Sequence, residues 1–211
     1  MQIDLANSFY SEENAQAAVR FLLNYIGDDP SRPGLIDTPE RFLRAWAQEW
    51  GAGYKEPEKE LVRLFRDDDV EINEGTPSGT IGQMVLVDNI IFHSHCEHHI
   101  APFYGVAHVA YIPGPKGLVG ISKLARIVDH FARRLQVQER LTMQVADFIA
   151  EHISPNVGVV LKARHSCMSS RGVRQPHAQT ITSALKGIIF SEPSARAEFL
   201  ALARASQFNC E

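Results

Sequence analysis

The 211-residue chain has only three cysteines, an odd and small number that excludes a disulfide scaffold. No apolar run approaches 18 residues, so no membrane-spanning helix is expected. The first residues, Met1 to Gln16, show neither a basic n-region nor an apolar h-region, which argues against a signal peptide. These absences together point to the cytoplasm, where thiols stay reduced and can serve as ligands. Positive charge is not in excess either. Lys and Arg total 21 against 25 Asp and Glu, a formal net charge of −4. A nucleic-acid partner is therefore not expected. A composition of 45% hydrophobic and 22% charged residues excludes disorder as the main state. The sequence contains no internal repeat or low-complexity tract. Histidine, by contrast, is plentiful. Nine of them beside three cysteines raise the question of a metal.

The length suggests one domain, or one with an appendage. Residues 11–27 read as a helix from the spacing of Val19, Leu22 and Ile26, with Gly27 as a stop. A second helix starts at Asp37-Thr38-Pro39-Glu40, where Thr38 can cap and Pro39 suits the first turn. It carries Phe42, Ala45, Trp46 and Trp50 and ends near Gly51 or Gly53. These form an N-terminal helical region, 1–55. Residues 56–80 are charged and punctuated, and read as a connection with little fixed structure. The remainder, 81–211, reads as the main domain. Strands are expected at 84–92, 106–112, 157–163 and 179–190. A helix pair lies between them, on the stripes Leu124 to Leu135 and Leu141 to His152, and Pro193 opens a last helix. Paired strands around a helix pair suggest an α+β fold with an antiparallel sheet.

The densest chemistry is His93-Ser94-His95-Cys96-Glu97-His98-His99. Cys-x-x-His lets a thiolate and an imidazole converge on one ion from a tight turn, and zinc favours that mixture. A second cluster follows at Arg164-His165-Ser166-Cys167. Cys96, His99 and Cys167 would make three ligands and leave a fourth position open, the pattern of a catalytic site. The plainer alternative is a set of packed thiols and surface imidazoles. Residues 116–140 carry Lys116, Lys123, Arg126, Arg133, Arg134 and Arg140. With Ser122 and Lys123 at a helix start and Arg126 one turn on, they offer a phosphate site or simply a solvated face. Glu139, beside Gln138, could pair with Arg140 or accept two N–H groups of a purine.

Four segments together carry a resemblance. Cys96-Glu97-His98-His99, the run from Gly120 to Val128, the run from Arg134 to Thr142, and the run from His165 to Val173 resemble, in order and spacing, GTP cyclohydrolase I. The likeness runs from about Leu35 to Leu200. It implies the tunnelling fold, an antiparallel sheet backed by paired helices behind an N-terminal helical part. It implies a toroidal homodecamer with active sites between subunits. It implies conversion of GTP and water to 7,8-dihydroneopterin triphosphate and formate. The family's zinc ligands fall on Cys96, His99 and Cys167, and its acid/base histidines on His98 and His165. The guanine-binding positions fall on Gln138 and Glu139. The ribose and triphosphate contacts fall on Ser122, Lys123, Arg126 and Arg171, with a further basic pair at Arg41 and Arg44. His95 stands where the family more often has Met or Thr, and is expected to neighbour the metal rather than bind it.

Two other readings compete with this one. A zinc-stapled scaffold without activity would close the metal with a fourth ligand. A related tunnelling-fold enzyme acting on another purine or pterin would keep Glu139 and lack the triphosphate residues, which are present here.

Overall fold

The computed structural model describes residues 11–65, 83–114 and 117–205. It divides into two compact units, Met1–Ala52 and Gly53–Glu211.

In the first unit, α1 spans Glu12–Tyr25 and α2 spans Thr38–Ala45. The Ser11 hydroxyl accepts a hydrogen bond from the Asn14 N–H, and Glu12 and Glu13 lie at the positive end of α1. Between the helices, Asp28 takes two hydrogen bonds from the Arg32 guanidinium, which lowers its pKa to about 2. The α2 cap differs from the expectation at Thr38. The capping position is Asp37, and its carboxylate pairs with Arg41 at 2.9 Å instead of closing on the helix N–H groups. After Ala45 the helix widens into a π-type turn, Trp46–Trp50; Phe42 stacks on Trp46, and Trp50 meets both rings edge-on.

The second unit is α+β. Its main sheet has the order β5-β2-β3-β6-β7, from β2 (Val85–Cys96), β3 (Pro102–Tyr111), β5 (Leu135–Gln136), β6 (Val157–His165) and β7 (Thr180–Lys186). The sheet is antiparallel, as expected, except that the short β5 runs parallel to the end of β2. Leu135, expected to close a helix, belongs to this strand instead. The helix α3 (Ile121–Ala132) ends three residues earlier, and α4 (Gln138–His152) starts directly after β5. Leu124, Ile127, Val128, Leu141, Val145 and Ile149 from the two helices pack on Phe92, Phe103, Val109 and Leu161 of the sheet. Each such burial contributes about 1.5–3 kcal/mol. A second cluster joins Ala110 and Ile112 to Phe199 and Ala203 of α7 (Pro193–Ala205). With apolar partners on both faces, β3 is buried without a break from Gly105 to Tyr111.

Several strand ends differ from expectation, with β3 starting at Pro102 rather than 106 and β6 running on to His165. β2 continues through the polar His93-Ser94-His95 to Cys96, because β3 pairs with it as far as His95. β7 stops at Lys186 because Gly187 turns to φ +58°, and Ile188 then donates its N–H to Asn156 and starts a helical turn, α6 (Ile188–Ser191).

The reading of 56–80 as a loose connection also meets structure. A short helical turn, Glu58–Glu60, leads to β1 (Leu64–Phe65), which pairs with β4 (Leu118–Val119). The charges of this segment bind the C-terminal end of α3, with Glu56 on Arg133 at 2.5 Å and Glu58 on Arg134 at 3.4 Å. Gly53 donates its N–H to the Arg133 carbonyl, and the Tyr54 hydroxyl accepts from the Leu135 N–H. Residues 66–80 lie outside the described residues.

Gly53 permits this approach, since a Cβ there would lie 2.1 Å from the His130 carbonyl oxygen. Gly53→Ala should therefore destabilise the fold by about 1–3 kcal/mol, read as a lower midpoint in denaturant unfolding; an unchanged midpoint would contradict the packing. Burial lowers the pKa of His130, helped by the Arg134 guanidinium and opposed by Glu58 and Glu56. Burial also lowers that of His108. Histidines that fold neutral bind fewer protons than in the unfolded chain, so their contribution is lost as pH falls below about 6.5. The melting temperature should drop between about pH 7.5 and pH 5.5 in calorimetry. A rise on acidification would show the sign to be wrong.

Candidate active site

The cysteines of the two clusters, Cys96 and Cys167, are 71 positions apart in sequence, and the clusters meet through strand register. Ser94 of β2 is opposite Phe103 of β3, and Phe103 is opposite His165 of β6. β2 and β6 run the same way on either side of β3, so Cys96 and His165 end at the same edge. Cys167 follows in a single helical turn, α5 (Ser166–Ser169). β5 pairs Gln136 with Cys96, which delivers the start of α4 to that edge as well.

The donor atoms of Cys96, His99 and Cys167 lie within 4.8 Å of one another. Cys96 is buried, Cys167 half-buried and His99 exposed. The Cys96 sulfur lies 3.9 Å from Nδ1 of His99 and equally 3.9 Å from Nδ1 of His98. The Cys167 thiol separates the two, since the group that closes on it contains His99. Two thiols and an imidazole are a donor set suited to zinc. Tetrahedral arms of about 2.0–2.3 Å put donor atoms roughly 3.5 Å apart, close to the spacing present.

The turn between β2 and β3 is anchored at both ends. The Cys96 N–H donates to the Ala101 carbonyl at 2.8 Å and the Glu97 N–H to the Gln136 carbonyl at 3.0 Å. Ile100 has φ +54°, an unfavourable conformation for a β-branched residue, and its N–H closes on the Cys96 carbonyl. Glu97 pairs with Arg140, which holds the Glu97 carboxyl below its usual range. The partner of Arg140 is therefore Glu97, and Glu139 is left exposed.

His165 stacks face to face on Phe103, with ring centroids 4.4 Å apart and an angle of 4°. Its Nε2 is 2.8 Å from Oε1 of Gln138. Burial lowers its pKa, against the upward pull of the nearby Glu139 carboxylate. Burial raises the pKa of Cys167, the Cys96 thiol adds to this, and the Arg171 charge opposes it. Glu139 and Arg171 therefore lie within electrostatic reach of the two clusters. Ser122 is exposed in the first turn of α3. The Lys123 ammonium donates to the Glu60 carbonyl at 2.8 Å, and Arg126 lines a cavity of about 420 Å³ with Glu56, Glu60, Asp129 and Arg133. Arg41 and Arg44 lie on α2 in the first unit, each facing a carboxylate on its own helix, Asp37 and Glu40. His95 is buried, burial lowers its pKa, and it lies outside the group that could hold a metal. Cys210 is outside the described residues.

The model of the family described as GTP cyclohydrolase I matches residues 15–204. The chain belongs to the GTP cyclohydrolase I family. It is 47% identical over 186 residues to "GTP cyclohydrolase 1" of Janthinobacterium sp. (strain Marseille), covering 88% of each chain. It is 44% identical over 194 residues to the protein of that name from Bacillus cytotoxicus, covering 92% of this chain and 96% of the other. A solved structure of the archaeosine synthase QueF-Like in the apo form aligns with 52% of this chain and 97% of its own, at 17% identity and a TM-score of 0.41. This member of the GTP cyclohydrolase I family is an enzyme of that type. None of its helices among the described residues is long and apolar enough to cross a membrane.

Sequence reasoning had no signal for Phe103 as a platform under His165, nor for the engagement of the Gln138 side chain inside the fold. Both depend on strand register. A metal held by this group should be present at about one per chain by elemental analysis and be lost from Cys96→Ser and Cys167→Ser. Full retention in both variants would reject the ligand set.

Proposed function

We propose that this chain is a zinc-dependent GTP cyclohydrolase, hydrolysing GTP to 7,8-dihydroneopterin triphosphate and formate in the cytoplasm as the entry to folate and pterin synthesis. The observation that carries this reading is the convergence of Cys96, His99 and Cys167 beside a half-buried, oriented His165.

When bound there, zinc supplies Lewis acidity and an activated water near neutral pH. The protein's own residues have distinct tasks. Opening the guanine imidazole ring pushes electrons onto a ring nitrogen, which needs a proton. His98 and His165 serve that transfer and the hydrolysis that frees formate. The Glu139 carboxylate, free of Arg140, accepts N–H groups of the guanine. Ser122 assists as the ribose opens and recloses onto the freed amine. Lys123, Arg126 and Arg171 hold the triphosphate, and Arg41 and Arg44 are a further basic pair for substrate binding. The exposed apolar side chains Phe21, Leu22 and Tyr25 of α1, with Ile26 at its end, suit a helix covered in a homodecamer.

Metal-loaded protein with GTP should release formate and a product that oxidises to a fluorescent pterin. Absence of both from assembled protein would reject the activity. Lys123→Ala should raise KM about tenfold with a smaller effect on kcat, and should flatten the rise of KM with added salt. His165→Ala should lower kcat about a hundredfold or more while the metal is kept.

A further inference from the structure

We infer that Gln138 is a positioning residue that fixes which ring nitrogen of His165 carries the proton, and that it presents Nδ1 as the proton-accepting atom. The inference deepens the acid/base role proposed above for His165 and rests on that reading.

The Gln138 side chain is 1% exposed and fully engaged within the fold. Its Nε2 faces the carbonyl oxygens of Leu161 at 3.2 Å and Thr180 at 3.0 Å, and the hydroxyl of Thr182 at 3.1 Å. Carbonyl oxygens only accept, so the amide must turn its NH2 toward them. This decides the orientation of a group whose two ends are otherwise easily exchanged. The hydroxyls complete the pattern. The Thr142 hydroxyl donates to the Gln138 carbonyl at 2.8 Å, so its proton is committed. Across the 2.6 Å contact between the two threonines, Thr182 must therefore donate to Thr142. The Thr182 oxygen is then free to accept from the Gln138 NH2. A closed circuit of donors and acceptors runs from the side chain of Gln138 through Thr182 and Thr142 to its own backbone.

With its NH2 committed, Gln138 can offer His165 only an acceptor, Oε1. The 2.8 Å contact then requires a proton on Nε2 of His165. In the neutral ring this leaves the lone pair on Nδ1. Stacking on Phe103 fixes the ring plane. His165 therefore enters the reaction as a base at Nδ1 and acts as an acid only after accepting a proton there. The side chain of Gln138 is too enclosed for direct guanine recognition, which falls to Glu139.

The test has two independent parts. Solid-state nitrogen NMR of histidine-labelled, metal-loaded protein should show His165 protonated at Nε2 and unprotonated at Nδ1, with its signals assigned by their loss in His165→Asn. The opposite tautomer would overturn the inference. This measurement needs no GTP turnover, so it stands or falls apart from the proposed activity. In the second part, Gln138→Met keeps side-chain length and removes the acceptor. It should lower kcat about tenfold or more, leave KM for GTP within about threefold, and retain the metal. An unchanged kcat, or a loss confined to KM, would instead make Gln138 a bystander or a substrate contact. Should the variant fail to fold, the tautomer in the unmodified protein still decides the matter.

Discussion

The register of β3 between β2 and β6 is the constraint on which the rest of the site depends. Phe103 is paired to Ser94 on one side and His165 on the other, so one residue sets the relative position of both clusters. A slip of one residue would turn every side chain of a strand to the opposite face. Cys96 and Cys167 would then no longer face one another. The register is held by burial on both faces of β3, against α3 and α4 on one side and α7 on the other. The distant cluster of apolar residues and the Cys96, His99 and Cys167 group are in this sense one structure.

Much of this was legible in the sequence, and what was not has physical reasons. The helix pair and the four long strands follow from apolar spacing, and the Cys96, His99 and Cys167 group from ligand chemistry. β5 escaped because two residues carry no periodicity, and it exists only because the end of β2 offers it a partner. The ordered part of the 56–80 segment escaped because its charges resemble those of a solvated linker. They are instead matched to Arg133 and Arg134, which are distant in sequence. Glu139 and Arg140 illustrate the same limit within the site. Sequence left their pairing open, and the fold assigns Arg140 to Glu97. The neighbour of Glu139 differs more. A buried glutamine with three acceptors around its NH2 group is set by tertiary contacts alone.

Net charge was a blunt guide to this molecule. A value of −4 describes the whole chain and conceals a local arrangement of both signs. Along α3, Lys123 and Arg126 point to the same region as Glu56, Glu60 and Asp129. The carboxylates temper a basic surface that would otherwise attract any polyanion. On the proposed function, selection of a single nucleotide would then depend on where the cations stand rather than on how many there are.

The continuous burial of β3 has a consequence for motion. Segments enclosed on both faces open only when the whole domain unfolds, whereas edges and exposed turns open alone. His165 rests on Phe103 and so on the most protected strand, while His98 and His99 project from an exposed turn. The two sides of the site therefore differ in how far the sheet encloses them. Amide exchange would separate them into a slow half anchored in the sheet and a faster half that rearranges without disturbing the core.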